Sequence, residues 1–145
     1  TPTLFDDMKN IGIPVCKEQI FNGKTFFRPY ASSIRDAKHS IVVSSPKLYR
    51  VERNVLVNQL SELVHIGIEV LIITTTNTLE TECLLQRELS VRILPKVKLC
   101  TTIIDKSIVW YGAINALGYA TEEDNVIKVV DDKLANELMK TLLSC

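Results

Sequence analysis

The sequence predicts an α/β fold in which a mixed β-sheet is flanked by α-helices. Short apolar segments with strand character alternate with amphipathic segments of helical period, an order typical of α/β layers. One run, Glu69–Thr74 (EVLIIT), is almost continuously apolar and mostly β-branched, as in a strand covered on both faces. The 145 residues, 46% of them hydrophobic, suffice for the core of one domain.

The first half of the chain is predicted as an arm followed by two helix–strand pairs. Residues 1–22 lack a clean period and are assigned to the arm, and residues 23–145 to the domain. The turn signal Asn22-Gly23 separates the two. Apolar residues at helical or strand spacing then define the elements: a helix over 24–38, a strand over 40–44 that closes at Ser45-Pro46, a helix over 51–65 and a strand over 69–74.

The second half is predicted to contain most of the sheet and the last helix. Two adjacent strands lead into a loop at Gly112. The last helix carries Leu134, Leu138 and Leu142 on one face, so we expect that face to be buried. The predicted elements are a helix over 78–87, strands over 90–94, 99–105, 107–111 and 126–130, and a helix over 131–143.

Charge and composition narrow the classes of function. Basic and acidic residues number 17 each, so the net charge is zero, whereas a dedicated nucleic-acid-binding domain is usually basic. A local basic patch is still compatible with this balance. No apolar run approaches the ~18 residues that span a bilayer, and the start does not resemble a signal peptide. We therefore expect a cytoplasmic protein that does not contact a membrane.

Cysteine spacing and nucleotide motifs indicate neither a metal nor a cofactor. The four cysteines form no C-x-x-C pair and the histidines are not clustered, so a zinc site is not expected. The phosphate-binding pattern G-x-x-x-x-G-K-S/T is missing, which excludes ATP hydrolysis by that route. The chain opens on Thr1-Pro2 rather than on Met, and we expect it to be a fragment of a longer protein.

One segment carries a resemblance to a known family. Residues 98–115 read KLCTTIIDKSIVWYGAIN, a strand that ends in Asp105, a second strand and a turn over 112–115. This order resembles the second half of a phospholipase D-type domain, whose signature is H-x-K-x-x-x-x-D followed by G-S/G-x-N. Residues 103–131 resemble more narrowly the module at the C-terminus of certain bacterial superfamily-one DNA/RNA helicases. The resemblance extends over about 24–143.

The resemblance implies a fold, a chemistry and partners. The fold is a phospholipase D-like sandwich. In this family one histidine attacks phosphorus and a second protonates the leaving oxygen, while lysine and asparagine hold the phosphate. A single domain supplies only one histidine, so the resemblance implies a homodimer that pairs two motifs across a two-fold axis. It also implies a helicase motor domain in the same parent chain.

The reactive positions of the motif are substituted in this sequence. The histidine position holds Lys98, the lysine position Cys100 and the serine position Ala113, while Asp105 and Asn115 are retained. A lysine amine is protonated near neutral pH because its reference pKa is about 10.4, and a thiol cannot supply a fixed cation. We therefore expect a catalytically degenerate domain without catalytic residues. The alternative is a residual phosphodiesterase or nuclease with an altered active site.

Four residues are candidates for contact with phosphate or nucleic acid: Lys98, Lys96, Arg92 and Asn115. The alternative interpretation of the three cations is that they point into solvent from an edge strand. Asp105 is expected to orient backbone, because aspartate often ends strands and caps turns, and Asn115 is expected to hold its turn. The retained strands, Asp105 and the 112–115 turn together predict the shape of a phosphate site.

Other residues near the motif have simpler interpretations. His39 and His65 are expected at the surface, and Cys100 as a small residue in the core. Of Trp110 and Tyr111, one must face the core by strand alternation, and the other could stack on a base. The acidic run over 122–124 would repel phosphate. We expect an accessory module that dimerises or contacts DNA or RNA.

Overall fold

The sheet is mixed and has seven strands in the order β1-β7-β6-β5-β2-β3-β4. The computed structural model describes residues 19–118 and 121–144. Strands β2, β3 and β4 are parallel to one another, and every other neighbouring pair is antiparallel. The strands are β1 (Gln19–Asn22), β2 (Ser40–Ser44), β3 (Glu69–Thr74), β4 (Ser90–Ile93), β5 (Cys100–Ile104), β6 (Ile108–Gly112) and β7 (Asn125–Val130).

Helices cover both faces of the sheet, so the predicted α/β sandwich is confirmed. On one face, buried residues of three helices pack with Ile41, Ile72 and Trp110. On the other face, the last helix packs with Val42 and Ile103. The helices are α1 (Phe27–Arg35), α2 (Val55–His65), α3 (Leu79–Gln86) and α4 (Asp132–Leu143). Among the described residues, no helix combines the length and apolarity that a bilayer span requires.

The helix starts differ from the predictions where side chains cap the backbone. The helix predicted over 51–65 is divided, because a 3-10 turn over Val51–Arg53 precedes the extended residue Asn54. The Asn54 side chain accepts a 2.8 Å hydrogen bond from the Leu56 amide and so starts α2. Asp131 starts α4 in the same way, by accepting from the amides of residues 133 and 134.

The sheet begins within the segment that the sequence assigned to the arm. Residues 19–22 form β1, an edge strand that pairs with β7. The Phe21 ring stacks on Trp110 with 5.3 Å between ring centroids. This contact joins residues far apart in sequence, and the local pattern of four residues does not predict it. The remainder of the assigned arm, residues 1–18, lies outside the described residues.

Candidate functional site

Strand register places the motif residues at the two opposite ends of the strands. These ends form the upper and lower borders of the sheet and are distinct from its edge strands β1 and β4. Ser44 pairs with Thr101, and Cys100 pairs with Gly112. We call this end the lysine edge; it comprises residues 45–47, 98–100, 112–118 and 124–125. At the other end, Ile104 pairs with both Ile41 and Ile108. We call that end the aspartate edge; it comprises residues 38–40, 105–107 and 130–131.

Asp105 lies at the aspartate edge, so the prediction that it shares a phosphate site with the 112–115 turn is wrong. Asp105 follows the last residue of β5, whereas Cys100 is the first, which puts them about 17 Å apart along an extended strand. Lys98 lies two residues further away. Sequence proximity was misleading, because the direction of a strand carries the two ends of a short motif to opposite edges of the sheet.

The Asp105 carboxylate organises the backbone that enters β2. Its oxygens accept hydrogen bonds from the amides of Lys38, His39 and Ser40, the shortest being 2.7 Å from His39. Partial desolvation raises the pKa of Asp105, but these hydrogen bonds and the nearby His39 outweigh it and lower the pKa below its ordinary value. The residue has a left-handed backbone with φ of 53°, which aspartate tolerates better than most residues. Its contacts are those of the predicted structural role.

Both histidines of the sequence also lie away from the lysine edge. His39 is adjacent to Asp105, within a depression whose other lining residues include Gly67 and Lys106. His65 is the last residue of α2, and its Nε2 lies 2.8 Å from a Glu88 oxygen. Since the chain contains only these two histidines, its lysine edge carries none.

Cys100 opens β5 at the lysine edge and is half-buried. Burial raises the pKa of the Cys100 thiol, the negative charge of Asp124 raises it further, and the positive charge of Lys47 lowers it. The thiol therefore lies within electrostatic reach of a cation and a carboxylate. Lys98 lies two residues before the strand and is exposed.

Lys47 is the residue at this edge that the sequence analysis did not select. It follows β2 in the segment Ser45-Pro46-Lys47, and its side chain is exposed. The Ser45 hydroxyl donates a 2.7 Å hydrogen bond to the Lys47 carbonyl, so the backbone from which the lysine side chain extends is fixed. A Ser-Pro pair directly after a buried strand was the available signal, because polar residues there reach the edge of the sheet.

Asn115 joins two loops at the lysine edge. Its Oδ1 accepts a 3.1 Å hydrogen bond from the Lys47 amide, and its carbonyl accepts one of 3.1 Å from the Gly118 amide. A β-carbon on Gly118 would lie 2.6 Å from the Lys47 carbonyl oxygen, so the loops touch directly. Asn115 therefore holds its turn, and it also positions the backbone of Lys47. Ala113 contributes its backbone amide, which donates to the Asn125 carbonyl.

The other predicted cations do not join Lys98. Arg92 lies on β4, the opposite edge strand, three strands away from β5, which is about 14 Å across a sheet. Lys96 is exposed in the turn between β4 and β5. The edge-strand alternative therefore describes Arg92 alone, because Lys98 precedes a central strand.

Trp110 faces the core and Tyr111 faces outward, as strand alternation requires. Trp110 is 1% exposed, packs edge-on against Tyr30 and donates from Nε1 to the Ser33 hydroxyl at 3.2 Å. It cannot serve as a stacking platform. Tyr111 is 43% exposed.

The acidic run is partly neutralised by local contacts. Glu122 forms an ion pair with Lys24 at 3.3 Å. Asp124 accepts a 2.9 Å hydrogen bond from the Thr121 amide, which closes its own turn. The repulsion of anions by Glu122 is therefore partly compensated by Lys24. In residues 19–118 and 121–144, potential metal ligands of the His, Cys, Asp and Glu types form no group of three or more.

Solved structures share this architecture. Nuc from Salmonella typhimurium, a phospholipase D family member, superposes with a TM-score of 0.70 at 16% identity, over 89% of this chain and 93% of Nuc. NucT from Helicobacter pylori superposes with a TM-score of 0.67 at 20% identity, over 89% of this chain and 94% of NucT. The fold is phospholipase D-like.

Proteins of other descriptions share the phospholipase D-like fold. TrmBL2, described as an archaeal chromatin protein with a novel mode of DNA binding, has a TM-score of 0.67 at 17% identity, over 97% of this chain and 57% of TrmBL2. No family model matches the sequence, and no curated protein does. At these identities the likeness establishes the fold, and the activity has to be argued from the side chains.

Proposed function

We propose that this phospholipase D-like domain has lost its phosphodiesterase residues and contacts the sugar–phosphate backbone of nucleic acid without cleaving it. The observation that carries the proposal is the position of Lys47. It lies three residues after Ser44, which pairs with Thr101, so its loop is at the end of the sheet where Cys100 opens β5. In the family motif the position of Cys100 belongs to a phosphate-binding lysine. The loop after β2 thus brings a cation to the same end of the sheet as the motif position that lacks one.

The placement of the histidines supports contact without cleavage. The family mechanism needs one histidine to attack phosphorus and another to protonate the leaving group. Both histidines of this chain lie away from Lys98 and Cys100, and a second copy of the chain would bring no other. A protonated lysine can hold a phosphate oxygen, but it neither attacks phosphorus nor shuttles a proton efficiently near neutral pH.

The lysine edge has the properties of a weak, salt-sensitive contact surface. Lys47 and Lys98 are exposed, and the backbone of Lys47 is fixed by its hydrogen bonds to Asn115 and Ser45. Because the backbone at Lys47 is already fixed, less conformational entropy is lost when a ligand binds. Because the whole chain is neutral, attraction to phosphate needs a local group of cations, and we assign this role to Lys47 and Lys98. The DNA binding stated for TrmBL2, a protein of the same fold, also supports the proposal.

Salt-dependent binding tests the proposal. The measurement is fluorescence anisotropy with labelled oligonucleotides between about 50 and about 200 mM salt. The double variant Lys47→Gln/Lys98→Gln should bind more weakly, and the slope of log affinity against log salt should fall by about 2, or about 1 for each lost cation. The matched control is Lys38→Gln/Lys133→Gln, since both lysines are exposed at or beside the aspartate edge.

Two outcomes would contradict the proposal. One is the failure of the unaltered protein to bind any oligonucleotide at low salt. The other is an equal loss in both double variants, which would mean general charge attraction without a site. Incubation of the same oligonucleotides followed by gel analysis tests cleavage, and products that disappear in Lys98→Ala would favour the residual nuclease.

We also propose, from the sequence resemblance alone, that the domain dimerises and belongs to a bacterial DNA/RNA helicase. Two copies related by a two-fold axis would place four lysines on one surface if their lysine edges met, which would strengthen phosphate binding by effective concentration. Light scattering over a range of concentrations tests the dimer, and a monomer throughout would refute it. The full reading frame tests the parent class, because a helicase requires ATPase motifs upstream.

A further inference from the structure

The segment that follows Lys47 carries an exposed aromatic ring beside a second cation. Tyr49 is 49% exposed. The Arg50 guanidinium carbon lies 5.3 Å from the centre of the Tyr49 ring, within the range of a cation–π contact. Only Leu48 lies between Tyr49 and Lys47, the lysine that the proposed function assigns to phosphate.

The backbone on both sides of this pair is anchored. The Tyr49 amide donates a 3.0 Å hydrogen bond to the Leu117 carbonyl. The Val51 amide donates one of 2.9 Å to a Glu80 carboxylate oxygen, and the Val51 side chain is fully buried. Arg50, between the two anchors, has a left-handed backbone with φ of 46°. The exposed ring is therefore presented from a fixed backbone, and holding it in place on binding costs little further entropy.

We propose that Tyr49 is a stacking platform for one base of single-stranded nucleic acid whose adjacent phosphate is held by Lys47. This inference rests on the proposed function. It adds that the nucleic acid is single-stranded and that Tyr49 is the residue that selects it over a duplex. A single strand exposes the faces of its bases, whereas a duplex keeps them stacked inside. Proteins that bind single strands commonly combine a basic track for the backbone with aromatic rings for the bases. Tyr49 and Lys47 provide one of each on the same anchored segment.

The role that the sequence offered to Trp110 or Tyr111 thus passes to Tyr49. Trp110 is enclosed by Phe21 and Tyr30. Tyr111 is exposed to a similar extent as Tyr49, but no described cation contacts its ring. This difference makes Tyr111 a matched control for an exposed tyrosine without the platform geometry.

The experiment compares three probes of equal length: an oligothymidylate, an abasic deoxyribose-phosphate strand and a duplex. Because stacking of one base on an aromatic ring strengthens binding, we expect the unaltered protein to bind oligothymidylate about tenfold more tightly than the abasic strand. Tyr49→Leu should reduce this ratio to about one, with affinity for the abasic strand unchanged. Tyr49→Phe should retain the ratio because stacking does not need the hydroxyl, and Tyr111→Leu should retain it as well.

Each result separates the two proposals. If the unaltered protein binds none of the three probes, the proposed function and this inference both fail. If it binds with a salt dependence but the ratio survives in Tyr49→Leu, or is lost equally in Tyr49→Phe, the platform is refuted and the phosphate contact stands. Preference for the duplex over oligothymidylate would also overturn the inference. Urea unfolding of each variant verifies that the fold is retained.

Discussion

The Lys47 amide donates a 3.1 Å hydrogen bond to the side-chain oxygen of Asn115, and this bond ties the loop after β2 to the loop after β6. The two residues are 68 positions apart in sequence. The bond fixes where the Lys47 side chain starts, so Asn115 affects the lysine edge by positioning a cation rather than by touching a ligand.

Asn115→Ala removes that acceptor, and we expect faster hydrogen exchange at the Lys47 amide together with weaker oligonucleotide binding. The loss of one hydrogen bond should lower the free energy of unfolding by about 1 kcal/mol. Exchange by NMR and anisotropy binding measure the two effects. Asn125→Ala is the control, because among the described residues no hydrogen bond involves the Asn125 side chain. Unchanged exchange at Lys47 in Asn115→Ala would contradict the positioning role.

Cys100 reports on the charges around it. In a background with the other three cysteines replaced by serine, Lys47→Gln should raise the already elevated pKa of the thiol, since Lys47 is the charge that lowers it. Asp124→Asn should lower that pKa for the opposite reason. Because the thiolate is the reactive species, iodoacetamide should react about two- to threefold more slowly with the first variant and faster with the second. The pH dependence of the alkylation rate gives both pKa values.

Lys98→Gln is the control for this measurement, because Lys98 is not among the charges that shift the Cys100 pKa. A response to Lys98→Gln as large as the response to Lys47→Gln would mean that Lys47 has no special position beside the thiol.

Asp105 makes stability depend on pH. Its pKa is lowered in the folded protein, so its contribution is present above the unfolded pKa of about 3.9 and is lost as the pH falls through the folded value. Asp105→Asn should therefore be destabilised by about 1–2 kcal/mol near neutral pH, since hydrogen bonds to the charged group weaken. The difference from the unaltered protein should shrink in acid. Urea unfolding at about pH 7 and about pH 3 measures it.

Asparagine suits the left-handed backbone of residue 105, so this substitution isolates the charge. Asp36→Asn is the control, because the exposed Asp36 side chain makes no described hydrogen bond or ion pair. A loss that is equal at both pH values would show that the charge of Asp105 is irrelevant.

Tyr30 and Thr102 form a buried pair whose hydroxyl oxygens lie 2.7 Å apart, and burial raises the pKa of the Tyr30 phenol. Tyr30→Phe or Thr102→Val should each cost about 1–2 kcal/mol, because each leaves a buried hydroxyl without its partner. The double variant should cost less than the sum, with a coupling of about 1 kcal/mol. Denaturant unfolding of the unaltered protein, the two single variants and the double variant completes this double-mutant cycle. If the two single effects simply add, the hydroxyls do not interact.

The sequence by itself determined the fold class and most of the helices and strands. The strand Glu69–Thr74 was predicted to the residue, because this run is too short for most helices and is rich in β-branched residues. The helix stripes were equally informative, since their period fixes which face is buried. That Lys98, Cys100 and Ala113 replace reactive residues rests on the resemblance of the 98–115 motif and stays a prediction.

Only the tertiary structure decided which residues meet. It placed Asp105 and Lys98 beyond opposite ends of β5 and Arg92 on the edge strand β4, three strands from β5. It also brought the loop that carries Lys47 to the end of the sheet where Cys100 opens β5. It also added residues 19–22 to the sheet. The physical reason is that hydrophobic period and turn chemistry act over a few residues, whereas strand order and register bring together side chains dozens of positions apart. The local pattern of a chain therefore records hydrophobic period and turn chemistry directly, and it records strand order and register hardly at all.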